Sequence, residues 1–348
     1  MKYWKEINDK LKPWIDTDLN KTVVDLFAGC GGLSLGFEAN GFKTIGYEMD
    51  ENATKTYNEN LIGECYNEKL TTETNYPKAD IVIGGPPCQP FSVGGKQLGL
   101  KDSRDGFPIF LAAIKQLNPE VLLFENVRGM LYKNSWYLKE VIEELENLGY
   151  NINYSLLNAK EYEVPQNRER VIVLGSKKKI NFPKKINRKI TAGEALGKLA
   201  FEFDENSKFF TESMDKYVAK YEKASKCVNP RDLYLDRPAR TLTCRNLAGA
   251  TGDMHRVRLK DGRRRRITVR EAARLQSFPD WFKFIGSETN QYNQIGNAVA
   301  PNFAHHLAKN IKNYLNNDDE NHYLITENEQ YKLFENEAIY QSRELKNI

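Results

Sequence analysis

The sequence predicts an α/β fold, in which short apolar strands alternate with amphipathic helices around a parallel sheet. Apolar runs over 22–27, 79–83 and 121–124 lead directly into glycine, proline or acidic residues, as buried strands do at a functional edge. An amphipathic helix is predicted over 137–148, with Gly149 at its carboxyl end. The chain of 348 residues, 40% hydrophobic and 28% charged, is long enough for one large domain and one small one.

Composition argues against several classes of protein. No run of about 18 apolar residues occurs, so no membrane span is predicted, and the first residues lack the apolar core of a signal peptide. The five cysteines form no CxxC pair, which indicates a reducing compartment rather than a disulfide framework or a structural zinc site. Four histidines give metal catalysis little support. We therefore expect a cytoplasmic protein without a metal ion.

Basic residues concentrate in one part of the chain. Residues 176–275 contain 26 Lys and Arg against 12 Asp and Glu, a net charge of +14, so the rest of a chain whose total is +4 carries −10. We call this segment the basic block. A merely solvated surface is the alternative, but a contrast of this size favours a polyanionic partner, and nucleic acid in particular.

The first two strands predict a site for an adenosine-containing cofactor. The strand over 22–27 enters a glycine-rich turn and then a helix to residue 38, the layout of a nucleotide-type site. The turn is not a dinucleotide motif, because Ser34 stands where a third glycine belongs. The second strand, over 43–50, ends in acids, and Glu48 is placed to bind two ribose hydroxyls. A helix over 51–60 follows.

The segment GGPPCQPFS at 84–92 follows the next strand. Its glycines and prolines predict a rigid turn with Cys88 at the tip, at the strand end where open α/β sheets bind ligands. A buried structural thiol is the alternative interpretation of Cys88. The glycine-containing residues 92–97 could move as a lid.

Two further strand ends carry charged groups. After a helix over 108–117, the strand over 121–124 ends in Glu125. Because neighbouring parallel strands lie about 5 Å apart, Glu125 and Cys88 could face one pocket, although a capping or surface acid is the alternative. Arg168 and Arg170 enter the second of two strands, over 153–157 and 170–174, and are expected to point the same way. They suit a carbonyl or phosphate oxygen, or are simply solvated.

The basic block contains weaker signals. We predict a linker over 177–189, a short helix over 191–199, a strand-like segment over 237–246, a basic turn over 263–266, a helix over 268–276 and a last helix opening at 294–301 and running to about residue 314. The interleaved Arg, Thr and Asn of the strand-like segment can contact base edges and phosphates, so Arg240, Thr241 and Arg245 are expected at a nucleic-acid interface. Residues 201–234 are polar and receive no assignment.

Six motifs, in this order, resemble the cytosine-C5 DNA methyltransferase family. They are DLFAGCGGLSLGFE at 25–38, GGPPCQPFS at 84–92, ENV at 125–127, QNRER at 166–170, TVREAARLQSFPDWF at 268–282 and QIGNAVAP at 294–301. The resemblance implies a Rossmann-like S-adenosylmethionine-dependent methyltransferase domain over 1–185 and 297–348. It also implies a small, mostly β target-recognition domain over 186–268 and a hinge over 269–296, with duplex DNA in the cleft.

The resemblance implies the chemistry as well. Addition of the Cys88 thiolate to cytosine C6 makes C5 enamine-like, so that C5 can attack the methyl group of S-adenosylmethionine, which leaves as S-adenosylhomocysteine. Glu125 would hold a proton at ring N3, and Arg168 or, chiefly, Arg170 would bind O2. The base must be flipped out of the duplex, and the segment from about Ser92 to Asp105 would close over it.

The resemblance assigns binding residues position by position. Those implied at the cofactor are Phe27, Ala28, Gly29, Cys30, Gly32, Glu48, Met49, Asn67, Pro87, Phe107, Asn297 and Ala298. Those implied at the DNA near the target base are Gln89, Ser92, Gly94, Gly95 and Arg104. Three positions depart from the family pattern: Asn67 stands for an Asp near the adenine amine, Phe107 for a Leu on the adenine, and Glu163 for a Gly before VPQ.

The predicted function is therefore that of a DNA (cytosine-5-)-methyltransferase, the monomeric modification enzyme of a restriction–modification system whose endonuclease acts separately. A small branch of the family methylates transfer RNA, which keeps the chemistry and changes the substrate. A catalytically silent DNA-binding module would be expected to have lost Cys88, Glu125 or Arg170. A nicotinamide dehydrogenase would need the third glycine and a histidine at the hydride site.

Overall fold

A seven-stranded mixed sheet forms the centre of the computed structural model, which describes residues 2–87, 105–132, 134–205, 207–224, 231–249, 252–316 and 322–323. The strands of this sheet are β1 (Thr22–Leu26), β2 (Lys43–Glu48), β3 (Glu64–Asn67), β4 (Ile81–Gly84), β5 (Val121–Val127), β6 (Asn151–Asn158) and β8 (Glu169–Ser176). Their spatial order is β3-β2-β1-β4-β5-β8-β6. The strands from β3 to β5 are parallel, whereas β8 runs antiparallel to both of its neighbours.

The strand order reverses between β1 and β4, which places a topological switch point there. Leu26 pairs with Gly84, and Gly84 pairs with Phe124, so the carboxyl ends of β1, β4 and β5 lie side by side. The predicted glycine turn, the GGPP turn and Glu125 therefore meet at one edge of the sheet.

Eleven α-helices occur in the described residues. They are α1 (Tyr3–Lys10), α2 (Gly32–Glu38), α3 (Glu51–Asn60), α4 (Phe107–Leu117), α5 (Ser135–Asn147), α6 (Ala192–Leu196), α7 (Glu212–Ala224), α8 (Cys244–Ala248), α9 (Val269–Leu275), α10 (Glu288–Asn297) and α11 (Pro301–Leu315). No helix among them is long and apolar enough to cross a membrane.

Apolar side chains cover both faces of the sheet. Val23 packs in a cluster with residues of α2 and α11, and its neighbour Val24 packs in a cluster with residues of α4 and α5. Successive residues of a strand point to opposite faces, so the sheet lies between two helical layers. The contact of α2 with α11 is close, because a Cβ at Gly36 would lie 2.4 Å from the carbonyl carbon of Ala304. The last helix thus packs on the first part of the chain.

A third apolar cluster joins the basic block to the rest of the molecule. It includes Ile7 of α1 and Cys30 of the glycine turn together with Leu196 of α6, Leu247 of α8 and Ile295 of α10. The described part of 186–268 therefore shares a core with both ends of the sequence. The division into domains at residues 186, 269 and 297 stays a prediction.

The prediction of a mostly β recognition segment is wrong for the described residues. Helix α7 covers 13 residues, whereas the strands β10 (Ala239–Arg240), β11 (Arg256–Arg258) and β12 (Arg264–Arg266) are two or three residues long. The strand-like segment over 237–246 ends early because Thr243 caps α8, where its side chain and that of Asn246 form a capping box. The alternating polar residues of this segment form a two-residue strand, a turn and a helix cap rather than one continuous strand.

Two short strand pairs complete the described structure. The strand β7 (Gln166–Asn167) pairs in parallel with β10, and β9 (Phe182–Pro183) pairs with β13 (His322–Tyr323). The predicted last helix is also divided: α10 ends at Asn297, and α11 begins at Pro301, because proline is favoured in the first turn of a helix.

Candidate active site

The glycine turn after β1 has the backbone of a ligand-binding loop. Phe27, Gly29 and Gly31 all have positive φ angles, of 60°, 57° and 86°, and a left-handed Phe is uncommon. A Cβ built at Gly29 would meet no heavy atom within 4 Å, so this side of the turn faces open space. The amide of Ala28 donates to the carbonyl of Tyr47 at 3.0 Å, which ties the turn to the end of β2.

The carboxylate of Glu48 is held in place by backbone amides on both of its oxygens. Gly29 N donates to Oε2 at 2.9 Å, and Asp50 N donates to Oε1 at 2.8 Å. Asn67 Nδ2 donates to the backbone carbonyl of Glu48 at 3.1 Å. The adjacent Met49 is 71% exposed, an unusual cost for a large apolar side chain. The structure therefore brings together the acid, the thioether and the turn that the sequence predicted for the cofactor.

Two buried groups support the turn from beneath. Burial raises the pKa of Asp25 to about 7, even though Ser34 donates a hydrogen bond to its carboxylate at 2.6 Å. Burial also raises the pKa of the Cys30 thiol to about 12, and its side chain is only 2% exposed. Cys30 can therefore offer its backbone, but not its side chain, to a ligand.

The loop between α10 and α11 lies against the glycine turn. A Cβ at Gly32 would stand 2.4 Å from the carbonyl oxygen of Val299 and 3.3 Å from the Cβ of Ala298. Asn297 is exposed, and its Oδ1 accepts a hydrogen bond from the thiol of Cys244 at 2.9 Å. Predicted cofactor residues that are about 270 positions apart in the sequence are thus neighbours.

The turn after β4 is held from two sides. Asn126 Nδ2 donates to the carbonyl of Pro86 at 3.0 Å, and Gly106 N donates to the carbonyl of Pro87 at 2.9 Å. A side chain at residue 106 is excluded, because its Cβ would lie 2.4 Å from Cδ of Pro87. The predicted nucleophile Cys88 follows directly but lies outside the described residues, as do Gln89, Ser92, Gly94, Gly95 and Arg104.

Glu125 and Arg170 form an ion pair at this edge of the sheet. Nε of Arg170 lies 2.7 Å from Oε1 of Glu125, and the two side chains are 13% and 12% exposed. They come from adjacent antiparallel strands, in which Val127 is paired with Arg170. Glu125 lies inside β5 rather than after it. The sequence predicted both residues as site residues, and the fold brings them into direct contact.

A cleft of about 200 Å³ opens beside this ion pair, lined by Arg128, Asn167, Glu169, Arg170 and Thr241. Arg128 Nη1 donates to Glu169 Oε2 at 2.9 Å, and Thr241 Oγ1 donates to the carbonyl of Asn167 at 2.7 Å. Arg128, Asn167, Glu169 and Asn126 were not predicted as site residues from the sequence. Their positions within ENVR and QNRER, next to predicted site residues, were the available signal.

Arg168 is buried against backbone carbonyls and does not line the cleft beside Arg170, and its role in the reaction stays a prediction. Residue 168 lies between β7 and β8, so the two-residue period of a strand does not apply across it. Its guanidinium donates to the carbonyls of Leu242, Gly296 and Ala298 and is 2% exposed. Burial and the charge of Arg170 lower the pKa of Arg168 to about 9. Its remaining donor, Nε, has no partner but is buried, so the described structure leaves Arg168 no exposed donor for a substrate oxygen.

Other predicted site residues have mixed surroundings. Phe107 is fully buried, with its ring edge-on to Phe124 and Tyr137, so it packs in the core. Arg240 Nη1 lies 3.2 Å from a carboxylate oxygen of Asp253, whereas Arg245 is exposed. The described residues contain no cluster of His, Cys, Asp and Glu that could hold a metal ion.

Comparisons with known proteins identify relatives along nearly the whole chain. The model of the family described as C-5 cytosine-specific DNA methylase matches residues 21–313. The Type II methyltransferase M.AplI of Arthrospira platensis is 54% identical over 322 residues, covering 91% of this chain and 93% of that protein. The Type II methyltransferase M1.HphI of Haemophilus parahaemolyticus is 33% identical, covering 84% and 87%.

A solved structure has the same fold. A crystal structure of an Escherichia coli protein, described as a putative DNA modification methyltransferase encoded within a prophage, superimposes with a TM-score of 0.64. The two chains are 25% identical, and the match covers 85% of this chain and 100% of the other.

Proposed function

Since this chain belongs to the C-5 cytosine-specific DNA methylase family, whose members use S-adenosylmethionine as methyl donor, we propose that Cys88, Glu125 and Arg170 carry out its reaction. The enzyme is a DNA (cytosine-5-)-methyltransferase with a Rossmann-like α/β fold. The observation that supports the catalytic assignment is the ion pair of Glu125 and Arg170, at the sheet edge where the turn leading to Cys88 begins.

The residues at the switch point fit the cofactor. The open space over Gly29 and over Gly85, where an added Cβ would meet nothing within 4 Å, leaves room for a ligand between the ends of β1 and β4. We infer that Glu48 binds the ribose hydroxyls and that Met49 covers the adenine. The glycine turn over 27–32 would surround the rest of the cofactor. When bound, S-adenosylmethionine supplies an electrophilic methyl group.

The protein residues have separate roles in the proposed mechanism. Cys88 forms a bond from its sulfur to cytosine C6, which moves electron density to C5. Glu125 holds a proton at N3 and accepts a hydrogen bond from the exocyclic amine. Arg170 donates to O2 and stabilises the negative charge that develops there. After C5 has gained the methyl group and lost its proton, the C6–sulfur bond breaks and the Cys88 thiolate is released.

The ion pair indicates how one pocket can bind both O2 and the N3–amine side of a cytosine. Nε of Arg170 and Oε1 of Glu125 are 2.7 Å apart and both side chains are mostly buried, so the ion pair places the two groups side by side in the pocket. A cytosine has O2, N3 and its amine along one edge. We infer that Arg170 faces O2 and that Glu125, once it carries a proton, faces N3 and the amine.

The biological setting is also a proposal. The relatives are named Type II methyltransferases, and we infer that this enzyme modifies one cytosine in a specific duplex sequence as part of a restriction–modification system. A cognate endonuclease would act separately, and the enzyme would work as a monomer on DNA in the cytoplasm, in the nucleoid. Its product is S-adenosylhomocysteine, and no metal takes part.

The test is transfer of labelled methyl groups from S-adenosylmethionine to mixed-sequence duplex DNA, with transfer RNA in parallel. Wild-type transfer to DNA, loss of transfer in Cys88→Ser, and a covalent complex with 5-fluorocytosine DNA are the expected results. Glu125→Gln should lower kcat by about 100-fold or more. Lys12→Ala, at an exposed position in neither the pocket nor the predicted DNA interface, is the control and should retain kcat. Transfer that survives in Cys88→Ser would refute the covalent mechanism.

A further inference from the structure

The backbone of Leu242 is gripped on both sides by side chains from the QNRER segment. Leu242 N donates to Oε1 of Gln166 at 2.9 Å, and Nη1 of Arg168 donates to the carbonyl of Leu242 at 2.8 Å. Gln166 is fully buried and Arg168 is 2% exposed. These contacts continue the pairing of β7 with β10, in which Ala239 lies opposite Gln166. The segment that carries Thr241 is thereby fastened to the strand entry that leads to Arg170.

The same guanidinium reaches the loop on the cofactor side. Nη2 of Arg168 donates to the carbonyls of Gly296 at 3.3 Å and Ala298 at 3.0 Å. Gln276 Nε2 adds a second donor to the carbonyl of Ala298, at 2.7 Å. Ala298 in turn lies 3.3 Å from the position of a Cβ on Gly32 in the glycine turn. The guanidinium of Arg168 therefore contacts both Leu242, next to Thr241, and the loop at 296–298 that packs on the predicted cofactor site.

The choice of arginine at this position has a physical reason. A buried charge is costly unless its hydrogen-bonding groups find partners, and here backbone carbonyls accept from both terminal nitrogens, whereas Nε is buried without a partner. Only the planar fork of arginine can direct two nitrogens at carbonyls on two different segments, whereas a lysine ammonium is a single point charge. The arrangement is therefore sensitive to the shape of the side chain as well as to its charge.

We propose that Arg168 is a positioning residue that holds Thr241 in the lining of the cleft that Arg170 also lines, and so couples DNA binding to cofactor binding. The proposal rests on the proposed function. It separates the two arginines of QNRER: Arg170 acts on the base, and Arg168 acts through Leu242 and Ala298. Loss of the fork leaves the reacting groups in place and disturbs the relative position of the two binding surfaces.

Arg168→Lys is the main test. We expect the KM values for DNA and for S-adenosylmethionine each to rise about tenfold, the effect of losing one or two charge-assisted hydrogen bonds, while kcat stays within about threefold. In the wild type, calorimetric titration should show S-adenosylhomocysteine binding more tightly when DNA is present, and in Arg168→Lys this enhancement should disappear. Arg170→Lys should show the opposite pattern, with kcat lowered and the coupling kept.

Arg274→Lys is the matched control for stability. Arg274 also donates from its guanidinium to a backbone carbonyl, that of Leu196 at 3.0 Å, but it contacts neither QNRER nor the loop at 296–298. Arg274→Lys should lower the melting temperature and retain the coupling between DNA and S-adenosylhomocysteine binding. If Arg168→Lys fails to fold, Thr241→Val replaces it, because this variant removes only the hydrogen bond to the carbonyl of Asn167. It should weaken the coupling about threefold.

Several outcomes would overturn the proposal. A fall in kcat of Arg168→Lys with unchanged KM values would make Arg168 a catalytic residue. If Thr241→Val changed only the KM for DNA, Thr241 would contact DNA directly and would not couple DNA binding to cofactor binding. If the wild type showed no coupling between the two ligands, Arg168 could not transmit it. Failure of the wild type to methylate DNA would instead refute the proposed function, since titration with S-adenosylhomocysteine and DNA still reports on the coupling.

Discussion

Replacing Glu163, the residue that departs from the family pattern before VPQ, sets two energies against each other. Its φ is +58°, a left-handed conformation in which a side chain costs about 1 kcal/mol relative to glycine. Its carboxylate faces His306 at 3.8 Å, Lys10 at 3.2 Å and Arg188 at 3.4 Å. The substitution Glu163→Gly relieves the strain and loses the charge, whereas Glu163→Gln loses only the charge.

The pKa of Glu163 gives the size of the charge effect. His306 and Lys10 lower this pKa from 4.5 to about 2, against the effect of burial. A shift of this size corresponds to about 3 kcal/mol at neutral pH. The charge effect is smaller, about 2 kcal/mol, because His306 Nε2 lies 3.8 Å from the carboxylate, beyond hydrogen-bond distance. Glu163→Gln should therefore lose about 2 kcal/mol and Glu163→Gly about 1 kcal/mol.

The pH dependence separates charge from packing. Because the pKa of the folded state lies below that of the unfolded state, the stabilisation is complete above about pH 5.5 and is lost as pH falls towards 2. Urea unfolding at pH 7.5 and 3.5 measures it, and the gap between the wild type and Glu163→Gln should shrink by about 1 kcal/mol. A gap that does not change with pH would refute the electrostatic reasoning. A Glu163→Gly protein less stable than Glu163→Gln would refute the strain argument.

Three other contacts give direct predictions. Glu48→Gln should raise the KM for S-adenosylmethionine about tenfold at unchanged kcat, because an amide NH2 replaces one of the two carboxylate oxygens and cannot accept from the backbone amide that faces it; an equal fall in kcat in steady-state kinetics would contradict this. Gly32→Ala puts a Cβ 2.4 Å from Val299 O and should cost about 1–3 kcal/mol in urea unfolding, so an unchanged midpoint would mean that the loop yields. Glu271→Gln breaks a buried pair with Arg265 and should cost about 3–5 kcal/mol; a loss below about 1 kcal/mol would rule out a dominant ionic contribution.

Local signals predicted most of the catalytic sheet. The helix over 51–60 has the predicted bounds, and the strands beginning at residues 22, 43 and 121 start where the apolar runs start. A buried parallel strand appears in the sequence as an apolar run that ends at glycine, proline or an acidic residue. Such a pattern involves only consecutive residues, so it can be recognised without the fold. Glu48 and Glu125 could be placed on the same grounds, because each stands at or near the end of such a run.

Signals that depend on distant residues were less successful. The helix over 212–224 was not assigned, because only Val218 is buried along it and an apolar stripe is almost absent. The segment over 294–301 was predicted to begin the last helix. It contains instead the end of α10 at Asn297 and the short loop before α11, which begins at Pro301. In both cases the outcome depends on caps and on packing partners elsewhere in the chain.

By itself, the sequence determined the α/β fold class, the glycine turn, and the order of motifs that identifies the family, since each is written in neighbouring residues. Only the tertiary structure decided the different contacts of Arg168 and Arg170. Residue 168 lies between β7 and β8, so the alternation of a regular strand does not predict which groups its side chain contacts. The carbonyls of Leu242 and Ala298, which bind the Arg168 guanidinium, come from segments about 75 and 130 positions away, and no local pattern encodes that meeting.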